Sequence, residues 1–98
     1  MLEYVIRAIR QKDMIYLDYP PGIRLIEPHA VGYGSDGQLL LRAFQVSGAT
    51  ASGASRSWKL FRLDRVEQIL PAKFVFSAPE QGYRRGDPAM TRGIIVEL

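Results

Sequence analysis

Leu2, Val5, Ile6 and Ile9 recur at the spacing of one helix face, while Arg7, Arg10 and Gln11 fall elsewhere. This predicts a short amphipathic helix over residues 2 to 11 that must lie against something apolar. The period then changes to two. In "MIYLDY" (14 to 19), Ile15, Leu17 and Tyr19 alternate with Met14, Tyr16 and Asp18, and "PPG" at 20 to 22 supplies the turn that ends a first strand. "IRLIEPHAVGYG" continues the alternation, with Leu25, Glu27, His29, Val31 and Tyr33 on one side and Arg24, Ile26, Pro28 and Ala30 on the other. Pro28 has no N–H for a ladder, so an edge or a bulge is expected there. "SDG" (35 to 37) is a hairpin signal ahead of the strand "QLLLRAFQV", and "SGATASGAS" (47 to 55) holds only small residues and is expected to be a mobile loop. "SWKLFRLDRVEQI" supplies a strand to about Leu63 and another from Arg65 to Leu70, stopped by Pro71.

The expected fold is mainly β with a short N-terminal helix: one domain, with about five short strands in a small antiparallel barrel or strongly curved sheet. From Pro71 the texture changes. Pro79, Pro88, Gly82, Gly86 and Gly93 punctuate residues 72 to 98, read as an extended C-terminal arm whose Ile94 to Val96 adds a terminal strand to a sheet edge, in this subunit or a neighbour.

Composition narrows the chemistry. The 98 residues are 47% hydrophobic and 23% charged, a globular profile, with a formal charge of +3 and a pI near 9.5. Ten of the thirteen cations are Arg. That choice points toward carboxylate, phosphate or base recognition, because the guanidinium is a planar donor fork. The absence of Cys excludes disulfides and thiol chemistry. No leader-like pattern and no apolar run of spanning length is visible, so the expected location is cytoplasmic, with no membrane partner.

The order "IYLDY", "IRLIEPHAVGY", "DGQLLLRAF", "FRLDRVEQI" resembles the WYL domain over roughly residues 5 to 70. The tripeptide that names the family is replaced here by Leu39, Leu40 and Leu41, keeping only its final Leu. The resemblance implies a five-stranded Sm-like, SH3-like barrel behind an N-terminal helix, and a ligand sensor whose basic pocket takes nucleic acid or nucleotide effectors in transcription regulation or phage defence. A winged-helix DNA-binding domain usually accompanies it. These residues hold only the WYL-like part and the arm, so a separate regulatory protein is the expected partner.

The candidate ligand-binding residues are Tyr19, Arg24, His29, Arg42, Arg62 and Arg65, with Arg56 and Lys59 nearby in sequence. Arginines brought together on one face would hold phosphate. The competing assignment is internal pairing: Arg65 or Arg62 with Asp64 or Glu27, and Lys59 left to solvent. His29, the only histidine, is open to hydrogen bonding or anion contact, and a metal site is not expected without Cys or a second His. Trp58 is expected in the core. "GYRRGD" (82 to 87) either meets nucleic acid or keeps a turn soluble. The Gly48 to Gly53 spacing lacks the Lys-Ser/Thr of a phosphate loop, and no nucleophile elbow accompanies Ser55, His29 and Asp64. The expectation is a non-catalytic module without cofactor. The alternative is a protein-interaction or oligomerisation module, such as a homodimer through the C-terminal arm.

Overall fold

A computed structural model describes residues 1–98. The elements run α1 (Leu2–Gln11), β1 (Asp13–Tyr19), β2 (Gly22–Tyr33), β3 (Leu39–Gly48), β4 (Ser57–Arg62), a 3-10 turn (Leu63–Arg65), β5 (Gln68–Val75) and β6 (Ile94–Glu97). They form one antiparallel sheet in the order β4-β3-β2-β1-β5, and β6 joins β2. β4 and β5 do not pair, so the sheet is open. No helix is long and apolar enough to cross a membrane.

The helix behaves as its spacing dictates. Val5, Ala8 and Ile9 are buried, and Leu2 and Ile6 pack at the margin of the same cluster. Lys12 ends α1 in the left-handed region at φ 54°, a place more often taken by Gly, and turns the chain directly into β1.

β2 is long and serves two neighbours in succession on one side. Its Gly22–Ile26 segment pairs with β1 and its Ala30–Gly32 segment with β6. Pro28 lies in the gap between them, so its missing N–H costs neither ladder a bond. The register against β3 slips between Pro28 and Ala30, which is the bulge that Pro28 predicts. The slip alters the expected alternation: Val31 joins Ile26 in the core, whereas strict parity would have put them on opposite faces.

The main core lies between the sheet and α1. It comprises Val5, Ala8 and Ile9 from the helix, Ile15, Leu17, Ile26, Val31, Leu41, Ala43 and Phe61 from the strands, and Leu63 and Val66 after β4. Phe61, 1% exposed, is the large side chain there. Trp58, expected inside, sits on the other parity of β4 and is only half-buried. A second cluster of Ala30, Leu40 and Met90, flanked by Ala89 and Ile94, forms apart from the first. Residues 76–93 contain no helix or strand, yet Phe76, Asp87 and Met90 are buried. The terminal strand expected near Ile94 is β6, paired within the chain.

β5 does not stop at Pro71. It is an edge strand, where a residue without an N–H is tolerated, and it continues to Val75. From Pro71, opposite Ile15, to Val75, opposite Asp13, β5 advances four residues while β1 advances two. The excess is a bulge around Lys73, whose φ of 61° is left-handed. A lysine held there stores about 1–2 kcal/mol of steric cost.

Phe61→Ala should destabilise the chain by about 3–5 kcal/mol, whereas Leu60→Ala on the exposed face should cost under about 1 kcal/mol. Urea denaturation followed by circular dichroism measures both.

Candidate functional site

The six residues expected to form one ligand surface do not converge. Arg24 and Arg42 sit on opposite faces of the sheet: Arg24 pairs across from core Leu17, and Arg42 from Ala30 of the second cluster. Arg24 is 4% exposed. Its Nη2 donates to the Pro20 carbonyl at 2.6 Å, its Nε to the Tyr19 carbonyl at 3.2 Å and its Nη1 to Gln45 Oε1 at 3.3 Å. The Tyr19 and Phe61 rings lie 5.2 and 5.3 Å from its Cζ. Burial lowers its pKa, and carbonyl dipoles and π faces stand in for a counter-ion. Gln45, fully buried, passes the network on to the Ala49 carbonyl at 2.8 Å. Arg24 therefore braces the Tyr19–Gly22 turn.

His29 is also structural. It is fully buried, its Nε2 accepts the Glu80 N–H at 3.0 Å, and its Nδ1 lies 2.8 Å from the Glu27 carbonyl. An accepting Nε2 places the proton on Nδ1, which donates to Glu27, so both nitrogens of the neutral ring are used. Burial holds its pKa below the ordinary value, and Trp58, Phe76 and Tyr83 pack around it.

Of the two arginines open to internal pairing, Arg62 takes the carboxylate and Arg65 does not. Arg62 grips Asp64 with Nε at 3.2 Å and Nη2 at 3.0 Å, and its Nη1 lies 4.0 Å from Asp36. The hydrogen bonds from Arg62 hold the Asp64 carboxyl below its usual range. Arg65 is exposed and pairs with neither Asp64 nor Glu27. Tyr19 turns its hydroxyl to accept the Arg62 backbone N–H at 3.3 Å. Lys59 is tied rather than solvated: its Nζ donates to Ser52 Oγ at 2.9 Å and Thr50 Oγ1 at 3.3 Å, fastening the small-residue loop.

The arrangement with room for a guest lies on the outer face, where the 82–88 segment crosses β3 and β4. Arg42, Trp58, Gly82, Tyr83, Arg84, Asp87 and Pro88 line a cleft of about 230 Å³. The Trp58 and Tyr83 rings stack with centroids 5.9 Å apart at 27°. Trp58 Nε1 donates to the Gln81 carbonyl at 3.1 Å. Gly82, at φ 90°, lies so close that a Cβ would meet Trp58 Nε1 at 3.1 Å. Asp87, 5% exposed at its side chain, receives Arg42 Nε at 2.6 Å and Nη2 at 3.1 Å. Those bonds keep the Asp87 carboxyl below its ordinary pKa despite burial. Arg85 is occupied by Glu97 at 3.3 Å and the Leu98 carbonyl at 3.0 Å. Arg84 lines the cleft, is exposed and makes no ion pair. Burial raises the Tyr83 hydroxyl's pKa, with the Leu98 backbone nearby opposing it, although no hydrogen bond of good geometry reaches the hydroxyl.

The Arg42–Asp87 pairing was not legible in the sequence, because nothing local connects residues 45 positions apart. "GYRRGD" was the available signal for Tyr83 and Arg84, without a hint that they face Trp58. Chemically, the cleft offers flat apolar walls, one uncommitted cation and the remaining donor group, Nη1, of a second. No group of three His, Cys, Asp or Glu is placed to hold a metal ion.

Beside this cleft, Glu27 has a buried Oε1 without a partner and Glu80 as neighbour. Burial first, and then the Glu80 carboxyl, raise its pKa to about 7, with Arg56 opposing. A proton shared between the two carboxyls would satisfy the orphaned oxygen. An ordinary Glu in the unfolded chain loses its proton near pH 4.3, about 2.7 units earlier. At Glu27 the folded state thus binds more protons between those values, and this group's contribution to stability declines as pH rises from about 4.3 to about 7, then levels. Glu27→Gln should remove that decline: similar stability to the parent at about pH 4, greater at about pH 8. Urea midpoints across that range provide the measurement.

Set against known proteins, the chain matches no family model, no curated sequence and no solved structure.

Proposed function

We propose that this chain is a non-catalytic regulatory module that binds a nucleotide or single-stranded nucleic acid in the cleft between β4 and the 82–88 segment. The observation that carries this reading is the meeting of two aromatic rings, Trp58 and Tyr83, with the unpaired Arg84 and the half-committed Arg42. An aromatic face supplies about 1–3 kcal/mol per stacked base, whatever the base, and a free guanidinium supplies a charge-assisted bond to phosphate. A cleft of about 230 Å³ is smaller than sites that enclose a whole drug-sized ligand, so one base would enter and the phosphates would run outside, toward Arg84. The WYL-like reading of the fold draws support from the strand order β5-β1-β2-β3-β4 behind an N-terminal helix. The gap between β4 and β5 is where a five-stranded Sm-like barrel would close.

The alternative, a module for protein interaction or oligomerisation, draws on a separate observation. Leu70, Phe74 and Val75 are exposed along β5 at 45%, 57% and 72%. Dimerisation through the tail would require β6 to leave its own β2.

Trp58 is the only tryptophan, so its fluorescence reports directly on the cleft. Titration with oligothymidylate and with mononucleotides should quench it, with an affinity that weakens as salt rises. Arg84→Ala should reduce the salt slope by about one. No quenching at low salt, or identical binding by Arg84→Ala, would remove the proposal.

A further inference from the structure

A second and larger concavity lies across the molecule, between α1 and β5. It measures about 420 Å³. Tyr4 and Met14 form one wall, and Pro71, Phe74 and Val75 the other, with Arg7, Lys73 and Asp13 at its border. The β5 bulge shapes it: the left-handed turn at Lys73 leaves Phe74 and Val75 both exposed, although strand alternation would have turned one of them inward. Two adjacent large apolar side chains held in water beside an apolar wall mark an interaction surface.

Charge decides what fits. Arg7 and Lys73 border the groove, Arg10 and Lys12 follow Arg7 at the end of α1, and none of the four makes an ion pair. Asp13 is the one acid at the border, and Glu3 lies one turn before Arg7. A second copy of the chain fits less well, because a two-fold contact would bring together two groove borders that each carry an excess of cations. Nucleic acid is the rival occupant, since Tyr4 and Phe74 could stack a base beside Arg7 and Lys73, but the aliphatic Met14, Pro71 and Val75 complete the walls and favour apolar side chains. We infer that the groove between α1 and β5 docks a short segment of a partner protein, carrying Asp or Glu beside two or three large apolar side chains. The apolar residues seat against Phe74, Val75, Tyr4 and Met14, and the carboxylates meet Lys73 and Arg7. Pro71 and the left-handed Lys73 blunt β5 for ladder pairing, so side chains carry the recognition.

Random peptides displayed on phage are panned on the full chain, and a selected peptide is labelled and measured by fluorescence anisotropy. The expected consensus is acidic and apolar. Binding should fall by about tenfold or more in Phe74→Ser and in Lys73→Glu, weaken with salt, and be unchanged in Arg84→Ala. Lys73→Gly relieves the left-handed strain, so its loss of binding separates missing charge from misfolding. A basic or absent consensus, or full binding by Phe74→Ser, overturns the inference. Two further results also do so: self-association abolished by Phe74→Ser, which gives the groove to a second copy, and oligonucleotide binding lost in Lys73→Gly but kept in Arg84→Ala, which gives it to nucleic acid.

Discussion

The outer face of the sheet depends on the protonation state of one ring. His29 is enclosed by aromatic side chains, donates to its own strand and accepts from Glu80 in the returning chain. Only the neutral imidazole protonated on Nδ1 can do both. That bond fixes residue 80, the next residue gives its carbonyl to Trp58, and five residues after Gly82 comes Asp87, which closes on Arg42. The segment 80–87 is thus tied to three different strands, β2, β4 and β3, in sequence order. The cleft exists because these attachments hold an irregular stretch of chain over the sheet without the help of regular structure.

The inner and outer faces solve the burial of charge differently. Inside, Arg24 has no carboxylate and relies on two carbonyls, an amide and two rings. Outside, Arg42 and Asp87 neutralise each other in a bidentate pair. In the first case the guanidinium is a turn-holding device whose cost is spread over dipoles. In the second it is a clamp between elements far apart in sequence. Neither resembles an empty anion pocket, and the cation left uncommitted at the cleft is Arg84, a surface residue.

Much of the fold was written in local pattern. The helix face of Leu2, Val5, Ile6 and Ile9, the strand periods, the "PPG" and "SDG" turns and the bulge at Pro28 all follow from propensities that act within a few residues. What failed was long-range. The parity of β2 past Pro28 could not be assigned without knowing where the bulge fell, and that misplaced Val31. The choice between Phe61 and Trp58 for the core depended on which face α1 would cover, and nothing within β4 encodes that. Partner choice among charges was equally hidden: Asp64 lies between Arg62 and Arg65, and the 3-10 turn after Arg62 decides between them by pointing Asp64 back. Pro71 was read as a stop because the chain offers no local sign that β5 is an edge.

Tyr19 carries one more consequence. The sheet is open in its backbone pairing, yet the phenol of Tyr19, at the end of β1, takes the N–H of Arg62 at the end of β4. A side chain thereby occupies a main-chain donor that an incoming strand would need. The mouth of the unclosed sheet is gated by an aromatic latch, and the end of β4 offers a stranger one fewer place to add on.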